Sequence, residues 1–348
     1  MPVHNYAPLR GRIVELRVES PRLQEALLGD PWVRSVAVYL PEGYDDHRGE
    51  LPLLVDLAGF TGSGLRRLGW TAFGESVPQR IERLMASGAL GPAVFAFPDC
   101  FTALGGNQYV NSAAVGAWES FLIDDMLPCL EGQLKIRRDR DGRALYGKSS
   151  GGYGALYHGM RRADVWGAIA SHSGDVGFDL LFRHEFPRVL GALARSGVAD
   201  DPSAAIERFI AGVRAAPKIR GDQFHVLMVL AMAATYDPDP SAPYGVRLPV
   251  DPHTCELDEA AWARWLAFDP LRMIDEPACQ ENLRSLRAVY LDVGSRDQYL
   301  IQYGTRALVR RLAAAGIDHF YEEFDDDHSS VDYRLDASLP RLYAAIAG

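Results

Sequence analysis

Ser149 stands in the setting that most directly implies chemistry. It sits in Gly147-Lys148-Ser149-Ser150-Gly151-Gly152, after the short apolar run Ala144-Leu145-Tyr146 and before a stretch with a helical pattern. Glycine two residues before and two after a serine permits a strand-to-helix turn too tight for side chains. Such a turn lifts the hydroxyl clear of a sheet and points the N-terminus of the next helix at charge developing on a substrate oxygen. A tight helix-entry turn capped by Ser149 would give the same letters; the strand before and the helix after favour the nucleophile. A serine hydroxyl is a poor nucleophile near neutral pH, so it needs a general base and a carboxylate to orient that base.

His328 is the expected base. It lies in Asp325-Asp326-Asp327-His328-Ser329, just past the last strand-like run. Of the other histidines, His4 and His47 lie near the N-terminus, His158 is on a helix, and His184, His225 and His253 fall in a helical middle segment. His319 opens a strand, and His172 ends one and reads as structural. The acid expected is Asp297, in the loop Gly294-Ser295-Arg296-Asp297-Gln298 after a strand; Asp292 within that strand and Asp175 after an earlier one compete with it. Asp325, Asp326 and Asp327 are too near His328 in sequence to orient it and read as a solvated acidic loop. An oxyanion requires two N–H donors. Ser150, next to the nucleophile, is one; Phe60, in Leu57-Ala58-Gly59-Phe60-Thr61-Gly62, is the other.

These residues need a frame. Alternating or continuous apolar runs predict strands at 12–18, 33–40, 51–57, 93–97, 144–146, 167–171, 288–293 and 319–324. Helical patterns fall at 78–87, 117–133, 150–161, 299–315 and 331–347. Strands alternating with helices at this spacing predict an α/β fold with a mostly parallel sheet wrapped on both faces. Between 176 and 284 the alternation breaks. Helical segments at 204–215, 223–235 and 259–266 surround a Pro-rich stretch, and the whole reads as a helical cap inserted into a core made of 1–175 and 285–348. Both junctions fall at the end of the sheet where Ser149 and His328 are expected. Met228, Met232 and Tyr236 of the cap are therefore candidates to line a substrate pocket.

Composition narrows the partners. With 36 basic against 46 acidic residues the net charge is -10, which leaves no basic excess to neutralise nucleic-acid phosphates. No apolar run reaches the roughly 18 residues that span a bilayer. The first residues lack the basic-then-apolar pattern of a secretion signal. Cys100, Cys129, Cys255 and Cys279 are scattered without metal-type spacing. The expectation is a cytoplasmic protein with reduced thiols and no metal or cofactor, acting on a small ester or thioester.

At the level of whole motifs, the chain resembles the esterase D superfamily, which includes S-formylglutathione hydrolases, feruloyl esterases, enterochelin esterases and mycolyltransferases. The resemblance is carried by VAVYLPEGY, LPLLVDLAGF, YGKSSGGYGAL, DVGSRDQYL and DDDHSS, and covers about residues 11–175 and 285–348. It implies an α/β-hydrolase fold, Asp297 rather than Asp292 as the acid, His328 as the base and Phe60 as the first-loop oxyanion donor. Two departures stand out: Ala58-Gly59 precedes Phe60 where many members have His-Gly or Asp-Gly, and the insert is not a feature of compact S-formylglutathione hydrolases. The alternatives are an acyltransferase using the same three residues and a non-catalytic binding protein on a hydrolase scaffold.

Overall fold

The computed structural model describes residues 8–196 and 201–348; His4 and positions 197–200 of the insert lie outside the described residues. Among the described residues ten strands run in chain order: β1 (Arg12–Glu19), β2 (Val33–Leu40), β3 (Leu53–Leu57), β4 (Val94–Pro98), β5 (Asn111–Ser112), β6 (Gly116–Ala117), β7 (Arg143–Lys148), β8 (Ala168–His172), β9 (Ala288–Gly294) and β10 (Phe320–Phe324). β5 and β6 form a small separate hairpin. The other eight make one sheet in the order β1-β2-β4-β3-β7-β8-β9-β10. β2 runs antiparallel to β1 and β4, and every other neighbouring pair is parallel. This is the α/β-hydrolase fold.

The pleat explains why the central strands read as continuous apolar runs. Leu53, Val55, Leu57, Leu145 and Ile169 pack into one apolar cluster, while Leu54, Ala144, Tyr146, Ala168 and Ala170 pack into a second. Successive side chains point to opposite faces, so two clusters mean that both faces are covered. Burying one leucine or isoleucine of this kind is worth about 1.5–3 kcal/mol. Edge strand β1 instead alternates exposed and part-buried positions, the pattern of a strand with one wet face.

Two expected helices are built less simply. The stretch 117–133 opens with a helical turn at Trp118–Ser120, widens into a π-helix at Phe121–Met126 and resumes as Leu127–Gln133. Leu127 N–H donates to Leu122 O, five residues back. Pro128 lies next in the chain; it has no N–H and its ring crowds the carbonyl four residues earlier, which a wider turn relieves. The last helix likewise begins as a tight turn, Val331–Arg334, before Leu335–Ile346.

Between β8 and β9 the regular elements among the described residues are helices, including Phe186–Arg195, Pro202–Ala215, Gly221–Tyr236 and Glu259–Leu266. Gly221–Tyr236 is buried continuously from Val226 to Tyr236, as its all-round apolarity requires. The neck of this excursion is closed by Asp269. Its carboxylate accepts N–H bonds from Gly177 (2.9 Å) and Phe178 (2.8 Å), and also from Leu271 (2.9 Å). Beyond that point the chain is back on the core. Asn282, on the helix Pro277–Ser285, donates to Met160 O (2.8 Å) on Ser150–Arg161. The helical cap expected at 176–284 thus has its last helix in the layer that flanks the sheet. All four cysteines are free.

Candidate active site

The turn between β7 and the helix Ser150–Arg161 forces Ser149 into φ 58°, ψ -125°, a strained conformation for a non-glycine residue. A Cβ on Gly151 would lie 1.8 Å from Leu57 O, and one on Gly147 would lie 2.5 Å from the same atom. The two glycines of the motif are therefore required by the end of β3, which crosses directly beside the turn. Ser149 N–H donates to His172 O (2.9 Å) and Tyr153 N–H donates to Ser149 O (2.8 Å), holding the bend from both sides.

His328 stands on the loop after β10, and Asp297 on the loop after β9. Nδ1 of His328 is 2.7 Å from Oδ2 of Asp297. The other carboxylate oxygen accepts the Tyr299 N–H at 2.9 Å. His328 N–H donates to Gln298 Oε1 (3.0 Å), and the Tyr299 ring packs edge-on to the imidazole at 4.8 Å. A carboxylate at Nδ1 selects the tautomer with the proton there, which leaves Nε2 with a lone pair. His328 and Ser149 line one cavity of about 80 Å³.

Phe60 and Ser150 line that cavity too. Ser150 opens a helix, where N–H groups have no intrahelical acceptor. The Phe60 backbone is clamped: its carbonyl accepts Gly106 N–H (2.7 Å), and its ring lies against Gly105, where a Cβ would be 2.6 Å from Cζ. Ala58 O accepts the Tyr109 hydroxyl (2.5 Å). Further along the same loop, Arg67 pairs with buried Asp56 and with Asp332, each at 3.0 Å. One guanidinium thus ties the Phe60 loop to the segment that follows His328.

The family model described as "Putative esterase" matches residues 31–341. The chain belongs to this esterase family. It is 30% identical over 175 residues to an esterase of Mycobacterium tuberculosis strain H37Rv; the match takes in 47% of this chain and 34% of that protein, so the chain spans about a third of the length of the curated relative. Among solved structures it is similar to a ferulic acid esterase (TM-score 0.61, 17% identity, 97% of this chain and 100% of that one). It is also similar to an S-formylglutathione hydrolase of Agrobacterium tumefaciens (TM-score 0.58, 14% identity, 99% and 98%).

In this esterase the insert supplies one wall of the cavity through Leu181, Phe182, Phe224 and Met228. Phe224 also meets the Phe60 ring edge-on at 5.6 Å. Of the three cap residues expected to line a pocket, Met228 does so. Met232 and Tyr236 do not, because both point into packed interior: Met232 Sδ lies 3.1 Å from Gln108 Nε2, and Tyr236 is enclosed by Phe178 and Phe268 at 5.1 and 5.3 Å. Met228 and Met232 stand i, i+4 on one helix, but that face turns from cavity wall to core within one turn. Leu181, Phe182, Tyr299 and Lys148 were not singled out from sequence. Lys148, beside Ser149 in the motif, carried a signal that could have been used; Leu181 and Phe182 carried none apart from their place just past β8.

Both competing carboxylates are accounted for. Asp175 lines the cavity, but its side-chain partner is Gln108 (3.2 Å). Asp292 belongs to a second Ser–His–Asp array. His172 Nδ1 is 2.7 Å from Asp292 Oδ1, and His172 Nε2 is 2.9 Å from Ser338 Oγ. Tyr290 OH (3.0 Å) and Arg334 Nε (2.9 Å) also donate to Asp292. Among the described residues no cluster of His, Cys, Asp and Glu is arranged to hold a metal ion, and no helix is long and apolar enough to cross a membrane.

Proposed function

We propose that the chain is a serine hydrolase that cleaves a carboxylic ester or thioester through an acyl-enzyme, with Ser149, His328 and Asp297 as its catalytic residues. The observation that carries this reading is the convergence on one cavity of the strained Ser149 turn and the His328–Asp297 pair. Membership of the esterase family supports it.

In the first step His328 Nε2 takes the Ser149 proton as Oγ attacks the acyl carbon. Asp297 stabilises the imidazolium through Nδ1–H. The carbonyl oxygen becomes an oxyanion and accepts the N–H groups of Phe60 and Ser150. The imidazolium protonates the leaving alcohol or thiol, leaving an ester on Ser149. Water, deprotonated by His328, attacks that ester, and the acid departs as Ser149 regains its proton. The insert from Phe178 to Phe268 acts as a cap whose apolar side chains bind the hydrocarbon part of the substrate.

A fluorophosphonate probe tests the assignment together with p-nitrophenyl butyrate. Ser149 should be the labelled residue, and Ser149→Ala should lose at least about 10³-fold in turnover while remaining folded. Labelling elsewhere, or full turnover by the alanine variant, would overturn it.

A further inference from the structure

The cavity contains a group that the hydrolytic steps do not use. Asp175 follows β8 in Ser173-Gly174-Asp175, is almost completely buried, and lines the cavity beside Ser149 and His328. Other buried aspartates among the described residues are matched by charged partners or several donors. Asp56 has Arg67; Asp237 has Arg247 and Arg264; Asp269 has three backbone N–H groups; Asp292 has His172, Tyr290 and Arg334; Asp297 has His328 and Tyr299 N–H. Asp175 has a single neutral amide, Gln108 Nε2, which at 2.8 Å is closer to Ser150 Oγ.

That is a costly way to bury a carboxyl, because one shared amide bond does not replace its hydration. Burial pushes the Asp175 carboxyl up to about 7; the Gln108 bond and Lys148 oppose the shift, and Asp297 adds to it. His328 lines the same cavity, and Tyr153, Tyr236 and Tyr299 are the remaining titratable groups that sense this carboxyl. The surroundings are unfinished as well. Gln108 Oε1 and Ser173 Oγ are buried and have no hydrogen-bond partner among the described residues. Of these groups Asp175 is the one that reaches the cavity, and a buried carboxyl with one shared donor at a cavity wall is the form taken by a group that a ligand completes.

We propose that Asp175 reads the substrate of the esterase reaction: its carboxylate accepts a hydrogen bond from a hydroxyl or protonated amine on the substrate. The insert's Leu181, Phe182, Phe224 and Met228 hold the apolar part. The substrate class is then an ester or thioester bearing a donor group close to the scissile carbonyl, rather than a plain alkyl ester. The proposal rests on the serine-hydrolase reading, and it makes Asp175 a specificity residue outside the proton relay.

The test uses matched substrates and reads a ratio. On the acyl side, p-nitrophenyl 3-hydroxybutyrate and 3-aminobutyrate are compared with p-nitrophenyl butyrate; on the alcohol side, 2-hydroxyethyl and 2-(dimethylamino)ethyl butyrate are compared with ethyl butyrate. The wild type should favour the donor-bearing member of at least one pair by about tenfold or more in kcat/KM, the worth of one hydrogen bond to a charged group. Asp175→Leu should bring that ratio towards one. Asp175→Asn, the milder change, keeps an acceptor oxygen without the charge, so it should lose an amine preference more completely than a hydroxyl preference. The wild-type ratio should also fall as pH drops below about 7, and that dependence should vanish in both variants. A wild type with no preference in any pair would overturn the proposal. So would variants that slow both members of a pair equally, because a merely structural Asp175 would act that way. Absence of Ser149-dependent turnover on every ester would instead defeat the serine-hydrolase reading on which the proposal stands.

Discussion

Two histidines of the molecule each meet an aspartate through Nδ1 at the same distance. In one, Asp297 meets His328 Nδ1 at 2.7 Å; in the other, Asp292 meets His172 Nδ1 at 2.7 Å and Ser338 meets Nε2 at 2.9 Å. Their surroundings differ in every other respect. Ser338 lies inside a regular helix at 0% exposure, and Asp292 is further matched by Arg334 and Tyr290. Ser149 sits at a strained turn, its neighbour Ser150 starts a helix, and a cavity opens in front of it. A triad is thus defined by access, by oxyanion donors and by an acid that has not been neutralised by a cation, more than by the three residue types. The sealed array acts mechanically. His172 O accepts the Ser149 N–H, so the Asp292–His172–Ser338 bonds help to fix the backbone that carries Ser149.

The largest expected effect separates the two serines. Ser149→Ala should lose about 10⁶-fold in turnover, while Ser338→Ala should stay within about threefold. A Ser338→Ala variant as inactive as Ser149→Ala would erase the distinction. Next come the acids. Asp297→Asn should cost about 10⁴-fold in kcat, because His328 would be held in the wrong tautomer. Asp292→Asn removes one of the two carboxylates on Arg334, Glu322 remaining, so its expected loss is in stability, about 1–3 kcal/mol by denaturant titration. Activity per folded molecule should be retained within about tenfold. The reverse pattern would place the working acid on β9.

Smaller effects concern the boundary between cavity and core. Met228→Ala should alter kcat/KM across a series of ester chain lengths. Met232→Ala should leave that preference alone and cost about 2–5 kcal/mol of stability. If both variants shift the preference equally, the wall extends deeper than the structure describes. The smallest effect is on pH dependence. The folded-state pKa of Asp175 is raised from 3.8 to about 7, so the folded protein holds a proton that the unfolded chain has released, and stability falls as pH rises between those values. Asp175→Asn removes this loss. Its Tm should exceed that of the wild type above pH 7 and match it near pH 4 in thermal scans. An equal offset at both pH values would show that Asp175 is not the titrating group.

What could be read from sequence tracks what is local. The strands β3, β4, β7 and β8 announced themselves as apolar runs, and the glycines flanking Ser149 reported a steric need that Leu57 O confirms. Asp297 could be ranked first from its loop position and from Asp-Gln-Tyr-Leu, yet excluding Asp292 required seeing Arg334 close upon it from the last turn before the final helix. Gln108 and the wall residues Leu181 and Phe182 were illegible, since each acquires its place from chain segments distant in sequence. Met232 and Tyr236 were misplaced for a related reason. Helical spacing reports which residues share a face but not whether that face meets solvent or core. The π-turn at Phe121–Met126 could have been anticipated from Pro128 alone.

The Asp269 clasp bears on how this esterase could diversify. By binding Gly177 N–H, Phe178 N–H and Leu271 N–H at once, it joins the outgoing and returning chains where the insert leaves the core. Whatever lies between Phe178 and Phe268 is therefore presented to the sheet as a loop with fixed ends. The entropy of closing such a loop grows only logarithmically with its length. Changes to the insert would leave the Ser149 backbone its bonds to His172 and Tyr153, while the Phe60 ring would lose its contact with Phe224. The insert is thus built as a cassette that presents one wall of the pocket, while the Ser149 turn keeps its own backbone supports.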